Sequence, residues 1–157
     1  MNAPENPDPK SLMLASLQGA SLKDVPELEA AGVWHFGFTS GWLMVECPWR
    51  AVSTGRIVLG SEDHGHQFGL PEPVDGVSRV LALLGKKTVV SVDIDRVTSD
   101  LSIQFTDDLR IDVFNSSAGY EGWHYSDRQG LELIAAGGGR LLMCYGERKD
   151  WKTIHGD

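Results

Sequence analysis

The sequence predicts a mainly β fold of antiparallel strands, either sandwich-like or α+β, with one well-defined helix. Apolar and polar residues alternate in several short runs, which places one face of each strand on a core and the other in water. Gly, Ser and Asp residues separate these runs and mark tight turns. Strands and helices do not alternate regularly, which disfavours a parallel doubly wound sheet.

The first half of the chain contains a predicted hairpin and a third strand. Residues 34–38 alternate, a short Thr-Ser-Gly segment interrupts them, and a second apolar run occupies residues 42–49. A third strand is predicted over residues 56–59. A loose stripe of leucines over residues 12–22 predicts a less regular helix nearer the N-terminus.

The best helix signal lies between residues 75 and 84. Asp75 stands where an N-cap belongs, and four apolar residues follow at i, i+3, i+4 and i+7 spacing. Gly85 ends the segment.

Three alternating runs follow the helix, at residues 90–94, 101–105 and 109–113. A three-residue loop at 106–108 pairs Phe105 with Leu109 and keeps the apolar residues of both strands on one face. A two-residue loop would pair Phe105 with Arg110 and bury the charge, so the sequence predicts the longer loop. Further strands are predicted over residues 122–125, 131–135 and 141–145.

The chain is predicted to hold one globular domain, residues 11–157, behind a flexible Pro-rich leader, residues 1–10. Residues 32–60 and 88–145 share a layout of an aromatic-Thr-x-x-apolar turn between alternating strands. One interpretation is an ancient duplication that gave two similar three-strand halves. The preferred interpretation is convergent hairpin chemistry.

The charge balance excludes some partners and favours others. The chain has 14 Lys and Arg against 22 Asp and Glu, a formal net charge of −8, which disfavours nucleic acid and anionic membranes. No apolar run is long enough to span a bilayer, and the N-terminus lacks a secretory signal. Two cysteines outside any CxxC pair are too few for a disulfide framework, so a cytoplasmic location is expected. Much of the surplus acid is expected in turns and on the polar face of the 90–113 strands.

No catalytic or metal-binding constellation is predicted. His64 and His66 form an H-G-H triplet in a loop that offers no third ligand at a recognised spacing. Cys47 has no neighbouring base in the sequence. Ser116 or Ser117 with a nearby His and Glu suggests a nucleophile, yet no G-x-S-x-G elbow is present. We therefore expect no metal and no cofactor. Together these observations favour a protein that is not an enzyme.

Two segments carry the residue types that dominate protein-binding surfaces, Tyr, Trp and Arg. The candidate binding residues are Trp49, Arg50, Tyr120, Glu121, Trp123 and His124. The competing interpretation is structural: Trp49 and Trp123 anchor the core, while the serines satisfy backbone groups.

The E-C-P-W-R segment at residues 46–50 and the N-S-S-x-G-Y-E-G-W-H segment at residues 115–124 precede a triple-glycine turn, Gly137–Gly139. This combination resembles a bacterial family of small uncharacterised proteins for which no activity is established. Small proteins of this general appearance also resemble immunity proteins of bacterial toxin systems. The resemblance implies no catalytic residue.

Three hypotheses follow from the sequence. The first is a non-catalytic domain that binds a basic protein, in the manner of an immunity protein. The alternative is a small-molecule binder or enzyme whose pocket is lined jointly by the CPWR and SSAGYEGWH segments. The third is a homodimer whose sheets pair edge to edge.

Overall fold

The computed structural model describes residues 7–28, 32–146 and 150–156. These residues form twelve strands in two antiparallel sheets that enclose a shared hydrophobic core. The mainly β, sandwich-like prediction is confirmed. The described residues contain no helix that is both long and apolar enough to cross a membrane.

The larger sheet has seven strands, in the spatial order β1 (Leu22–Asp24), β2 (Trp34–Phe38), β3 (Gly41–Val45), β9 (Trp123–Asp127), β10 (Glu132–Ala135), β11 (Leu141–Cys144) and β12 (Lys152–His155). The smaller sheet has five, in the order β5 (Arg56–Gly60), β4 (Trp49–Ser53), β8 (Leu109–Val113), β7 (Leu101–Phe105) and β6 (Val89–Ile94). Two helices complete the described structure, α1 (Pro9–Leu17) and α2 (Gly76–Leu84).

Helix α2 confirms the sequence prediction. The carboxylate of Asp75 accepts hydrogen bonds from the backbone N–H and the hydroxyl of Ser78, which caps the helix start. Val80 and Leu84 are buried on the inner face of the helix. The apolar spacing therefore correctly predicted which face of the helix packs against the core.

Helix α1 begins inside the segment predicted as a flexible leader. Asp8 caps it by accepting from Ser11, and Pro9 occupies the first turn, where its missing N–H is not needed. Met13 and Leu17 are buried, and Lys10 pairs with Asp93 of β6 at 3.2 Å. Residues 1–6 of the predicted leader lie outside the described residues.

The predicted register of the 101–113 hairpin is confirmed. Phe105 lies opposite Leu109, and the inward residues of both strands are buried. Asp107 and Asp108 adopt left-handed backbone conformations, with φ of 62° and 56°, which Asp tolerates better than most residues. The three-residue loop thus keeps the arginine of β8 out of the core.

The prediction of a single strand over residues 42–49 needs correction. The run predicted as one strand over residues 42–49 divides at Pro48 into β3 and β4, which lie in different sheets. β4 then turns into β5 through Thr54 and Gly55, both with positive φ. Such a two-residue turn matches the right-handed twist of its strands.

The chain passes between the two sheets at two crossings that lie at the same end of the sandwich. The first crossing, residues 46–48, leads from β3 to β4, and the second, residues 114–122, leads from β8 to β9. Val45 lies opposite Trp123, and Trp49 lies opposite Val113, so both crossings join the same strand ends. We call this end of the sandwich the crossover end.

The two similar halves suggested by the sequence do not form separate units. Residues 32–60 contribute β2 and β3 to the larger sheet and β4 and β5 to the smaller one. Residues 88–145 likewise contribute strands to both sheets, and the pairs β3–β9 and β4–β8 join the halves. Each sheet is therefore assembled from both halves.

Candidate functional site

The two motif segments meet at the crossover end through their backbones. The N–H of Phe114 donates to the carbonyl of Pro48 at 2.9 Å, and the N–H of Glu46 donates to the carbonyl of Gly122 at 2.8 Å. The two crossings therefore run side by side and fix each other's position. The CPWR and SSAGYEGWH segments, far apart in sequence, are neighbours in the fold.

The two tryptophans of these segments point into the core. Trp49 is 2% exposed and packs edge-on against Trp34 and Phe36, with ring centroids 4.8 and 5.2 Å away. Trp123 is equally buried, and its indole N–H donates to the carbonyl of Ser99 at 2.8 Å. Neither ring is available to a ligand.

Arg50 lies on the outer face of the smaller sheet, because strand alternation turns it away from Trp49. Its Nε lies 3.0 Å from the Asp112 carboxylate, and its guanidinium lies 4.9 Å from the centroid of the Phe114 ring. Arg110 also contacts Asp112, at 3.1 Å. Asp112 on this face is thus paired with two arginines.

His124 lies on the outer face of the larger sheet, between the buried residues Trp123 and Tyr125. Its Nε2 is 3.2 Å from the Glu132 carboxylate of the neighbouring strand. Arg50 and His124 therefore occupy opposite faces of the sandwich. The alternative hypothesis places five side chains in one pocket, but the structure directs them to the core, to two outer faces and to the crossover end, so they do not converge: Trp49, Arg50, Tyr120, Trp123 and His124.

Tyr120 and Glu121 are the two candidate residues that the structure leaves free on the surface of the crossover end. Tyr120 is 82% exposed. The Ser117 hydroxyl accepts hydrogen bonds from the N–H groups of Gly119 and Tyr120, at 3.1 and 2.9 Å, which fixes the local turn. The aromatic ring is presented to solvent by a backbone that is already ordered.

A buried asparagine joins three loops at this end. The side-chain amide of Asn115 donates to the carbonyls of Thr98 and Ala136, at 2.9 and 3.1 Å, and its backbone N–H donates to the Asp100 carboxylate. The connections 95–100, 114–122 and 136–140 are therefore fastened to one another.

The triple-glycine turn permits close approach of these loops. A Cβ on Gly137 would lie 2.5 Å from the backbone of Gly119, and one on Gly139 would lie 2.2 Å from the carbonyl oxygen of Val97. Gly138 and Gly139 also have positive φ. The turn serves backbone packing, as the sequence interpretation preferred, and no helix N-terminus follows it.

A Ser–His pair that sequence reasoning missed lies beneath these loops. The Ser99 hydroxyl is 2.7 Å from both the Gly139 carbonyl and Nε2 of His155. A hydroxyl has one proton, so donation to Gly139 requires His155 to donate to Ser99 rather than act as its base. Ser99 is fully buried, with a left-handed backbone. The pair therefore fastens β12 to the loops, and only the fold brings its two members together.

The connection from β5 to α2, residues 61–75, forms an ordered loop at the same end. The N–H of Gly65 donates to the Val74 carbonyl at 2.8 Å, and the N–H of Val74 donates to the His66 carbonyl at 2.7 Å. Phe68 is 67% exposed, with φ of 47°, and stacks on His66 at 5.6 Å. The loop of the H-G-H triplet thus presents an exposed aromatic residue that the sequence pattern did not single out.

His64 has a structural partner within that loop. Its Nδ1 accepts the N–H of Gly76 at 2.9 Å, at the start of α2, and its ring lies edge-on to Trp34. The described residues contain no group of three or more His, Cys, Asp and Glu side chains that could hold a metal ion.

Cys47 borders a cleft between the first crossing and the 61–75 loop. The cleft has a volume of about 490 Å³, and its wall includes Trp34, Glu46, Glu62 and His64. Burial, followed by the nearby Asp100 and Glu46 carboxylates, raises the pKa of the Cys47 thiol to about 12. The thiol is therefore protonated at neutral pH and is no nucleophile.

The acidic residues are unevenly distributed between the two ends of the sandwich. Five connections at the crossover end, residues 46–48, 61–75, 95–100, 114–122 and 136–140, carry eight Asp and Glu against two Arg. Five connections at the opposite end, residues 39–40, 54–55, 85–88, 106–108 and 128–131, carry two Asp against three Lys and Arg. Among these ten connections, the surplus acid is thus concentrated at the crossover end.

Two of these carboxylates are held in the ionised form by backbone donors. Hydrogen bonds from Ser78 lower the pKa of Asp75, and those from the N–H groups of Thr98 and Val97 lower the pKa of Asp95. Their negative charge is maintained at mildly acidic pH.

Comparison with protein-family models, curated proteins and solved structures found no match to this chain. The resemblance carried by the E-C-P-W-R and N-S-S-x-G-Y-E-G-W-H segments therefore stays a prediction.

Proposed function

We propose that the protein is a non-catalytic binding domain that docks a basic protein on its crossover end. The observation that carries this proposal is the concentration of eight carboxylates and two arginines in the connections at that end, around the exposed ring of Tyr120. A basic partner is attracted to such a surface over several ångströms and is oriented by it before contact.

Exposed apolar side chains supply the short-range part of the interaction. Tyr120, Val97 and Phe68 are each more than half exposed, on three different connections. Aromatic residues surrounded by polar groups are the usual centres of binding energy in protein interfaces. The charges increase the rate and selectivity of association with the partner, and these apolar side chains slow its dissociation.

Preorganisation of the loops supports the same conclusion. The Asn115 amide bonds, the Ser117 turn and the Ser99–His155 pair order the connections before any partner arrives. Binding to an ordered surface loses less conformational entropy than binding to a mobile one. Such pre-organised interfaces are typical of protease inhibitors, and an immunity-like protein that blocks a basic partner would act in a similar way.

The proposal places the protein in the cytoplasm. Both cysteines of the chain, Cys47 and Cys144, are free thiols. Free thiols suit a reducing compartment.

The test is affinity capture from the native host at low and high ionic strength, with matched variants of the bait. Glu72→Gln/Glu121→Gln removes two negative charges at the crossover end, and Asp107→Asn/Asp108→Asn removes two at the opposite end. We expect a basic protein to bind the wild type and the Asp107/Asp108 variant at low salt. Binding should weaken at least about tenfold for the Glu72/Glu121 variant and at high salt.

A Tyr120→Ala bait distinguishes the contribution of direct contact with the Tyr120 ring from that of long-range electrostatic attraction, because it leaves every charge in place. Equal capture by both charge variants, or binding that does not respond to salt, would show that the crossover end is not the docking surface. Light scattering on the same samples tests the homodimer hypothesis: if the captured species is a second copy of this chain, the proposal of a basic partner fails.

A further inference from the structure

We propose that the outer face of the larger sheet is a dimer interface, on which a second copy of this chain packs in an antiparallel orientation. This inference goes beyond the proposed function, because the face forms a flank of the sandwich and not its crossover end. It also differs from a dimer that pairs edge to edge, since the two large sheets stack face to face.

The centre of this outer face is apolar. Met44 of β3 lies opposite His124 of β9, and Ile134 of β10 lies between His124 and Leu142 of β11. Directly opposed residues of adjacent strands share a face of the sheet. These four side chains alternate with buried neighbours, so they point away from the core, and each is partly exposed. Three apolar side chains and one histidine therefore form an outward row.

Trp42 adds an aromatic surface to this row. It precedes Met44 by two residues on β3, is 39% exposed, and has its ring centroid 5.8 Å from that of His35. The indole lies across Gly37 of β2, where a Cβ would be 2.6 Å from the ring. The missing side chain at Gly37 lets the ring pack directly on the β2 backbone. An exposed tryptophan held in this way is the usual centre of a binding interface.

The outer face of the smaller sheet has a different character. Its opposed pairs include Arg50 with Asp112, Ser102 with Asp112, and Gln104 with Arg110. Antiparallel sheets that face water on one side usually carry such polar residues there. The larger sheet departs from this pattern, and contiguous exposed apolar surface of this kind marks an interaction site.

Charge identifies a second copy as the occupant of the face. The five central strands of the larger sheet, all described in full, contain two residues of the Asp, Glu, Lys and Arg types, Asp127 and Glu132. Asp127 accepts a hydrogen bond from Ser16, and Glu132 lies 3.2 Å from His124. The face is thus close to neutral in a chain of net charge −8. Two copies can approach here without strong repulsion, whereas a basic partner gains little attraction.

Strand order permits a closed twofold pair. β9 is the middle strand of the seven, so a twofold axis that runs across the strands, between two stacked sheets, sets each sheet fully over its copy. The acidic crossover end of each chain then lies beside the opposite end of the other, whose connections carry two Asp against three Lys and Arg. Trp42 of each copy meets Met44 of the other, a favourable sulfur–aromatic contact.

The size of the face sets the expected affinity. Seven strands span about 29 Å across the sheet, and five residues span about 17 Å along it. A dimer on this face buries about 1,000 Å² in total, which is the size of weak and reversible complexes. We therefore expect a dissociation constant in the micromolar range.

The experiment is sedimentation velocity on the full chain over about 1–500 µM, with matched variants. Ile134→Lys places a charge on the outer face and should raise the dissociation constant at least about tenfold, because the ammonium group must lose water in the dimer. Ile57→Lys adds the same charge at a side chain that is 63% exposed on edge strand β5, and should leave the constant unchanged. Circular dichroism checks that both variants fold, and Leu142→Gln tests the same face if Ile134→Lys does not.

Three results would overturn the interface. They are a wild type that stays monomeric over the whole range, equal dimerisation of the wild type and the outer-face variant, and a loss of dimer confined to Ile57→Lys, which would assign the contact to the edge of the smaller sheet.

A nitroxide label tests the orientation. Gln129→Cys places the label at the opposite end of the larger sheet, while Cys47 is partly buried and Cys144 is buried. The labelled variant is mixed with isotope-labelled wild type, and the NMR signals of the wild type are followed. We expect broadening at residues 119–122 of the crossover end. Broadening at residues 128–131 instead would overturn the antiparallel arrangement.

The dimer and the docking proposal can fail separately. Glu72→Gln/Glu121→Gln changes the crossover end and leaves the outer face intact, and Ile134→Lys does the reverse. In affinity capture, a second copy held on the outer face is retained by the Glu72/Glu121 bait, whereas a species bound at the crossover end is lost.

Discussion

The indole N–H of Trp123 donates to the Ser99 carbonyl at 2.8 Å, whereas the indole N–H of the equally buried Trp49 has no hydrogen-bond partner among the described residues. The two tryptophans thus occupy the same core with different polar environments. Trp49 therefore serves as an internal reference against which the contribution of the Trp123–Ser99 hydrogen bond to the free energy of unfolding can be measured.

Trp123→Phe should destabilise the protein more than Trp49→Phe, by about 1–2 kcal/mol. Both substitutions remove similar ring volume, but only the first leaves the buried Ser99 carbonyl without its donor. Trp49→Phe also removes an unpaired N–H. Urea unfolding followed by circular dichroism measures both free energies, and equal losses would show that the Ser99 bond contributes little.

Gly139→Ala should be far more damaging than Gly138→Ala. Both residues have positive φ, 90° and 77°, so both substitutions lose about 1–2 kcal/mol to backbone strain. Only at Gly139 would the new Cβ meet a backbone oxygen, that of Val97 at 2.2 Å; at Gly138 the nearest atom is 3.8 Å away. We expect Gly139→Ala to lose about 2 kcal/mol more. Thermal unfolding of the two variants distinguishes the cost of the steric clash from that of the backbone strain.

Asp75→Ala should cost about 1 kcal/mol at neutral pH, because it removes the cap of α2. Hydrogen bonds from Ser78 lower the pKa of Asp75 below its ordinary value of 3.8. A carboxylate with a lowered pKa stabilises the folded state fully above its unfolded pKa and loses that contribution as the pH falls through its folded pKa. The difference between wild type and variant should therefore shrink below about pH 4. Glu72→Ala, which removes an exposed carboxylate before the helix but no cap, is the matched control and should change the free energy of unfolding little at neutral pH.

Cys47 should resist alkylation in the folded protein. With its pKa at about 12, the fraction of thiolate at about pH 8 is roughly three orders of magnitude below that of an ordinary cysteine. Cys47 is partly buried and Cys144 is fully buried. Mass spectrometry after brief iodoacetamide treatment should find both thiols unmodified without urea and both modified with it. Rapid labelling of Cys47 in the native state would contradict the burial that raises its pKa.

Part of the fold was predictable because its signals are local. Alternation over residues 101–113 defines both strands and their register, since a shift by one residue would bury Arg110. Asp75 and the apolar spacing define α2. Strand β5 was predicted, but β4 was missed because its signal is weak: Val52 and Ala51 are consecutive and both buried, which breaks the alternation.

The site was less predictable because it depends on pairing between distant segments. Alternation separates Trp49 from Arg50, and Trp123 from His124, yet sequence alone does not place the two crossings side by side. The same holds for the charge. Composition supplies the surplus of carboxylates, but only strand order assigns Glu46, Glu121 and the 61–75 loop to one end. Ser99 and His155 were missed for the same reason.

The interleaving of the two halves has a kinetic consequence. Strand β3 pairs with β9, and β4 pairs with β8. Neither sheet can therefore be completed until most of the chain has been synthesised and long loops have closed. Proteins dominated by such distant pairings fold in about milliseconds to seconds, and their unpaired strand edges are exposed meanwhile. The crossings that create a rigid acidic surface thus also make its folding slow, and a chain divided within the 61–75 loop should yield two fragments that fold only together.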